Sequence, residues 1–445
     1  MSDKINAPMV VSDSGKDSIL NSEALDVAVV GGGPAGVSAC LELSRQAGLK
    51  IALFESDTEL GGIPRSCHIF FGMRDMWRLY TGPAYARKLA SLIRKTSVQI
   101  HTDSTVLSID ADPEGNRHCL QVATSGGLRH YHCRFIILAT GCCERSRGAR
   151  LIPGTRPEGV YTTGALQKIV HQGGFKPGKK AVIIGSEIVS LSCALTLKKA
   201  GVSIKALVEE NRDLSTYRLA AGSLSFAFGF HVYVGTSVAR ILGNRRVEGI
   251  ELLDTTTGKT FQIDCDTVVF TGKFRPEESL IFNTEIKEDS AGPGPVVDTN
   301  FMTSVPNIFA AGNILHGAEM HDICALEGKS AAENILNAVK TGKAAASKYL
   351  ALKAHYPVRY VVPQRIPLDI GVDNRNVQPK GKLNLQLACT MRNSVLEAWS
   401  GTELLWSRKY RRVIGNNRIV IPIEKLNWKL IDPEKGIDIK IASAA

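Results

Sequence analysis

The chain has 445 residues, 44% apolar and 22% charged, an ordinary globular composition with room for two or three domains and a large core. No apolar run reaches the roughly 18 residues of a membrane-crossing helix. The ten cysteines include no C-x-x-C pair and no His/Cys cluster with zinc or iron–sulfur spacing, so no metal is expected and reduced thiols in a cytoplasm are. The net charge of +11 is concentrated at one end, because Thr341 to Ala445 holds 18 Lys/Arg against 8 Asp/Glu.

The first 24 residues are polar with short apolar patches and read as a disordered leader, without the basic-then-apolar plan of a secretory signal. An apolar strand, Val27 to Val30, then runs into Gly31-Gly32-Gly33-Pro34-Ala35-Gly36, a helical pattern and a second apolar strand ending at Glu55. Gly31 permits the tight turn, Gly33 lets a pyrophosphate approach the backbone, and Gly36 lets the helix pack on the strand. The helix start offers free N–H groups to phosphate oxygens. Glu55 lies nineteen residues beyond Gly36, where an acid bonds adenosine ribose hydroxyls.

Phe135 to Gly141, FIILATG, reads as a buried strand ending in small residues. A second dinucleotide-type unit begins at Lys180, with strand, turn, helix and strand in the same order and Glu209 in the place of Glu55. Its turn has decayed to Gly185-x-Glu187-x-x-Ser190, so a carboxylate stands where a pyrophosphate needs glycine. Glu209 suits an unphosphorylated ribose and opposes NADP. This favours a unit that folds without NAD(H), with a working NADH site or another adenine nucleotide as the alternatives. Asp266 to Gly272, DTVVFTG, repeats the small-residue strand, and Pro306 to Gly312 precedes a helix starting near Ile323. From about Tyr360 strand-like alternation returns, with Gly415-Asn416-Asn417 as a turn, and a small β domain is predicted.

The chemistry-bearing residues outside these turns are few. Cys142 and Cys143 are adjacent and read as packed thiols, since a vicinal disulfide strains the backbone. Cys67 follows Gly61-Gly62 without a cysteine partner nearby. Cys67-His68, Arg74-Asp75 and the group His316, Glu319, His321 and Asp322 are the substrate-side candidates. Among them Cys67, His68 and His321 are the catalytic candidates, a histidine being able to accept a proton during oxidation. The basic end reads first as a solvated face. The alternative is a docking surface, with Arg408, Lys409, Arg411 and Arg412 as its contact cluster, for an acidic partner or an anionic membrane surface. Nucleic acid is disfavoured by the absence of a binding motif.

The order of these motifs resembles the two-dinucleotide-binding-domain flavoproteins of the pyridine nucleotide-disulfide oxidoreductase superfamily, over about Leu25 to Val339. Three motifs carry the resemblance: Gly31 to Gly36 with Glu55, Ala139-Thr140-Gly141, and Pro306 to Asn313. Gly61 to Arg65, Phe71 to Asp75, Gly82 to Arg87, Glu144-Arg145, Pro153-Gly154 and Gly159 to Gly164 are similar to a subgroup. That subgroup comprises the FAD subunits of opine oxidases, hydroxyproline dehydrogenases and hydrogen cyanide synthase, and flavoproteins associated with anaerobic-type glycerol-3-phosphate dehydrogenase. It lacks, in this chain, the cysteine-rich C-terminal module of several such relatives.

The resemblance implies an α/β fold of two Rossmann-like domains, the second inserted in the first, plus the C-terminal β domain. The expected bounds are 25–173 with 295–345 for the FAD domain, 174–294 for the second, and 360–445 for the β domain. It implies FAD held by Gly31, Gly33, Pro34, Ala35, Gly36, Glu55, Gly62, Arg65, Val106, Ala139, Thr140, Gly141, Gly312, Asn313 and Ala325. Asn313 replaces the usual aspartate. The helix from Ala325 would aim its N-terminus at the flavin. The expected activity is dehydrogenation of a small amino or hydroxy compound, with electrons passed to a second oxidoreductase subunit or another acceptor. The rivals are an NADH-dependent flavin reductase and a noncatalytic FAD-binding assembly subunit.

Overall fold

Residues 22–443 are described in the computed structural model, except 68, 216–217, 290–291, 293, 343–344, 369–380 and 416. Most of the expected leader and His68 therefore lie outside the described residues. The strand Ser22–Val30 runs parallel to Ile51–Phe54 on one side and to Gly127–Leu138 on the other, with Val27 opposite Ile51 and Phe135. Gln99–His101 extends the parallel edge, Ile308–Ala310 pairs with Gly127–Leu138, and His118–Thr124 and Thr105–Asp110 fold back antiparallel.

The central strands are apolar without interruption because both faces are covered. Val27, Val29, Leu53 and Ile137 face the helical side. Ala28, Val30, Phe54 and Ile136 face a layer containing Ile281, Ile286, Val297 and Val305. The expected inserted unit ended at 294, yet Ile281 and Ile286 pack on this first core.

The second sheet is parallel, in the order Val160–Thr162, Thr267–Phe270, Lys180–Ile184, Ser203–Val208, His231–Tyr233. It recruits Val160–Thr162 from before the expected boundary at 174, because those residues pair with Val268 to Phe270. A three-stranded meander, Thr236–Leu242, Gly249–Asp254 and Thr260–Asp264, adjoins it. Cys142–Glu144 and Phe274–Pro276 pair antiparallel and form the two-way bridge between the units.

The C-terminal sheets begin at Tyr349–Ala354, ahead of the expected start at 360, since that strand pairs with Ile437–Ser443. They enclose their own core of Leu350, Leu385, Leu396, Ile421 and Ile439. They are not an appendage. Tyr360 and Val362 pack into the first unit's core, the Gln364 carboxamide accepts from Val297 N–H at 2.9 Å, and Arg365 donates to Thr303 O.

Helix Pro34–Leu43 lies against the 21-residue helix His321–Thr341. The approach is backbone to backbone, because a Cβ on Gly328 would stand 2.0 Å from Ala35 O. Gly328→Ala is therefore expected to destabilise the fold by about 1–3 kcal/mol through overpacking. Thermal unfolding of the variant checks this, and an unchanged Tm would mean that the helices can separate without cost.

Candidate functional site

The turn after the first strand is set by backbone geometry. Gly31 adopts φ +108° while its N–H donates to Phe54 O at 2.8 Å, and a Cβ there would meet Ala139 O at 2.3 Å. Gly36 faces Gly31 O, where a Cβ would stand at 1.9 Å. Gly33 is different, since a Cβ there meets nothing within 4 Å. It is the N-cap of the helix and brings no side-chain acceptor, while Pro34 follows at the first helical position. The Glu55 carboxylate is fixed beside this turn by Gly32 N–H at 2.7 Å and Asp57 N–H at 2.8 Å.

These groups open onto a cleft of about 470 Å³. Gly31, Gly33, Pro34, Ala35, Glu55, Gly62, Val106, Ala139, Thr140, Gly141, Asn313 and His321 line it, so residues from five separate stretches converge. Gly36, Gly312 and Ala325 stand behind the wall as spacers and packing. Gly312 N–H donates to the Glu327 carboxylate at 3.1 Å, and Ala325 is buried. Arg65 turns its guanidinium to Asp57 and Glu59, at 2.9 and 3.1 Å, and does not line the cleft.

Ser104, Thr105, Cys142, Glu277 and Cys324 also line the cleft and were not singled out for it from sequence. For Cys324 a signal was present. His321, Cys324 and Gly328 share one helix face by i, i+3, i+7 spacing, the face that meets the first helix.

The thiols are poorly suited to redox exchange. Cys67 is buried away from the cleft, with its sulfur 3.1 Å from Ser192 Oγ of the second unit, and burial pushes its thiol up. Cys324 donates to Asn313 Oδ1 at 3.2 Å, and burial raises it far above the ordinary thiol value. Desolvation, with Cys143 and Glu144 nearby, pushes Cys142 up to about 12. All three are protonated at neutral pH, whereas the thiolate is the reactive form. Asn313 Oδ1 also accepts Glu319 N–H at 2.8 Å, so the carbonyl end of this amide is committed to the protein.

His321 opens the long helix, on the cleft wall, and burial lowers its imidazole to about 4. It is neutral at pH 7. The next residue, Asp322, is buried and accepts Arg74 Nη1 at 2.9 Å, while half of Arg74 remains exposed. His316 lies deeper. Burial alone would lower it, but Glu327 Oε1 at 2.9 Å outweighs that and raises it. Among the described residues no His/Cys/Asp/Glu group could hold a metal ion, and no helix is long and apolar enough to cross a membrane.

The second unit copies the turn but not the opening. Gly185 has φ +112° and donates to Val208 O at 2.8 Å, as Gly31 does to Phe54. Glu209 accepts from Ser186 Oγ and from Asn211 N–H at 2.9 Å, as Glu55 accepts from Gly32 and Asp57. Glu187, however, is the helix N-cap, and Thr271 Oγ1 donates to its carboxylate at 3.1 Å.

A glycine turn open at Gly33, a helix N-terminus and a fixed acid, at the C-terminal edge of a parallel sheet, are the arrangement of a dinucleotide-binding fold. The pyridine nucleotide-disulphide oxidoreductase family model matches residues 25–342, and the chain belongs to that family. It is an FAD-dependent oxidoreductase. Ferredoxin–NADP reductase 2 of Exiguobacterium sibiricum is 25% identical over 331 residues, covering 72% of this chain and 89% of the relative. One of the opine oxidase subunits of Rhizobium meliloti is 26% identical over 321 residues, covering 65% of this chain and 59% of that protein. The fold is shared with T. acidophilum thioredoxin reductase, at a TM-score of 0.62 and 22% identity, over 72% of this chain and all of that one.

Two outcomes are expected at this site. Gly33→Asp places a carboxylate in open space, so the apoprotein should fold normally while the FAD-to-protein ratio on purification falls close to zero. Retention of stoichiometric FAD would overturn the cradle. The second concerns acid stability. The His321 imidazole falls from 6.5 unfolded to about 4 folded, so its contribution is complete above pH 6.5 and is lost as pH drops toward 4. His321→Gln should flatten the fall of Tm across that window, measured against the wild type at each pH.

Proposed function

We propose that the chain is the FAD subunit of a dehydrogenase that oxidises a small amino or hydroxy compound and passes the electrons to a partner subunit or another acceptor. The observation that carries this reading is the contrast between the two nucleotide units. One cradle is open at Gly33, and the other holds the Glu187 carboxylate against Thr271. NAD(H) as the electron source fits this poorly. A thiol–disulfide route fits no better, with Cys67, Cys142 and Cys324 all held as neutral thiols.

In this reading Gly31 and Gly33 admit the pyrophosphate, with the N–H groups at the start of Pro34–Leu43 facing it, and Glu55 takes the adenosine ribose. Gly62, Val106 and Ala139 to Gly141 form the walls, and the amide of Asn313 faces the cofactor's sugar-alcohol chain. Bound FAD supplies a two-electron acceptor. In this reading the neutral His321, on the cleft wall, takes the proton released from the substrate's N–H or O–H as the neighbouring C–H is oxidised. The exposed half of Arg74, held by Asp322, offers a cation to a substrate carboxylate, which agrees with an opine-like compound. Cys67 takes no catalytic part in this reading.

A partner is supported at the same face. Met73, Trp77 and Leu79 are exposed on the loop that carries Arg74, and Met320 touches Arg74 at 3.7 Å. Exposed apolar side chains beside a redox cleft suit a protein interface. The basic cluster on strand Glu403–Val413 fits one less well, because Arg412 lies 3.9 Å from Asp213 of the second unit and Arg408 stacks on Tyr410. Lys and Arg along an edge strand also discourage edge-to-edge pairing.

Anaerobic titration of the FAD-loaded protein tests the function. The flavin absorbance is expected to persist with NADH and NADPH, and to bleach with members of a panel of secondary amino acids, opines and hydroxy acids. Rapid, saturable bleaching by either nicotinamide cofactor would favour the flavin-reductase reading instead.

A further inference from the structure

The second nucleotide unit retains the features of a binding site except at one subsite. Its turn glycine, its strand-end contact from Thr271 N–H to Ile184 O at 2.8 Å, and its buried acid Glu209 match Gly31, Ala139 N–H to Val30 O at 2.8 Å, and Glu55. The difference lies where phosphates would sit. In the first unit, a Cβ built on Gly33 or on Gly141 meets no atom within 4 Å. In the second, the residue in the place of Thr140 is Gly272, and a Cβ there would meet the Glu187 carboxyl carbon and Oε1, both at 2.1 Å. A Cβ on Gly185 would meet Glu187 Oε2 at 2.7 Å. The carboxylate thus lies against the two strand-end glycines Gly185 and Gly272, at the N-terminus of a 12-residue helix, Ile188–Lys199.

We propose that Glu187 is a built-in occupant of this phosphate subsite, an anion of the chain itself that closes an otherwise complete site for an unphosphorylated adenine dinucleotide. Two effects act together. The carboxylate fills the volume that a glycine would leave, and its charge opposes a pyrophosphate at close range in a partly buried setting. The surroundings are arranged for it. Thr271 Oγ1 donates to Glu187, while Arg150 donates to Thr271 O at 2.9 Å and to Gly272 O at 2.7 Å. Gly272 N–H is taken by Glu144 at 3.2 Å. The third fingerprint position is also altered, and the Ser190 hydroxyl is fully buried with no hydrogen-bond partner among the described residues. The helix end is thereby fixed for scaffolding, and the acid that would read the ribose is kept in place. Glu187 selects the electron donor by exclusion, and this deepens the reading that NAD(H) is not the reductant.

The test uses FAD-saturated protein, so that the first cradle is filled, and ADP-ribose and NADH as probes by isothermal titration calorimetry. Wild type is expected to show no saturable binding. Glu187→Gly, and Glu187→Gly/Ser190→Gly, which restores all three glycines, should each gain binding by at least about 100-fold, with FAD content and Tm as guards on the fold. Position 187 has φ −66° and ψ 165°, extended backbone that glycine or any other residue adopts, so the single variant should fold. No gain in both folded variants would overturn the occupant role while leaving the dehydrogenase reading intact. Tight ADP-ribose binding by the wild type would also overturn it. Rapid flavin reduction by NADH in the wild type would sink both readings together.

Discussion

Everything at the cleft depends on three places where backbone meets backbone with no room for a side chain. Gly31 lies against Ala139 O, Gly36 against Gly31 O, and Gly328 against Ala35 O. These contacts stack the end of strand Gly127–Leu138, the first turn, the first helix and the last helix in direct succession. The chain positions involved are separated by almost three hundred residues, so the cleft exists only when the whole first unit has folded. Such close approach also explains why the first helix can be nearly all buried and still keep its N-terminus open. Its sides are packed on the strand and on His321–Thr341, and only Gly33 and its neighbours at the tip reach the cavity.

The first turn was legible because its chemistry is local. A strand, three glycines at fixed spacing, a helix and an acid are all consequences of short-range geometry, and Gly31, Gly33, Gly36 and Glu55 behave as that geometry demands. Arg65 and Cys67 turn away from the cleft for the opposite reason. Their neighbour Gly62 lines the cleft, but side-chain direction there is decided by charges and hydroxyls outside it. Arg65 is drawn to Asp57 and Glu59, and Cys67 to Ser192, which arrives from the second unit 125 residues later. Domain edges failed similarly. Val160–Thr162 and Tyr349–Ala354 pair with Thr267–Phe270 and Ile437–Ser443, which come much later in the chain, so pairing rather than composition sets the boundaries.

The two nucleotide units show how far one backbone plan can diverge in chemistry. Both hold their acids by a donor on the second turn position and by the N–H two residues beyond the acid. The acid is thus part of the turn's own hydrogen bonding, and burying it without those donors would be costly. A unit that no longer bound a ligand would therefore still keep it for stability. Persistence of Glu209 says little about binding, whereas the occupant of the glycine-bounded volume says a great deal. A ribose-type acid in a degenerate fingerprint is weak grounds for assigning NAD(H).

The basic C-terminal part is tied to the cleft by a chain of polar contacts. Arg418 lies 3.7 Å from the Glu319 carboxylate, Glu319 N–H donates to Asn313, and Asn313 faces the cavity. One turn away, His316 and Glu327 form a buried pair beneath Gly312, with the Tyr360 ring 6.3 Å from the imidazole. A charge-assisted network in a low-dielectric setting is stabilising only while each member keeps its partner. The C-terminal sheets therefore supply part of the scaffold that sets the angle of Asn313. Reading them as a free docking module underestimates this, because Arg418 is already committed to the protein's own acid, Glu319. The basic residues of strand Glu403–Val413 are committed in part as well, with Arg412 3.9 Å from Asp213 and Arg408 over the Tyr410 ring.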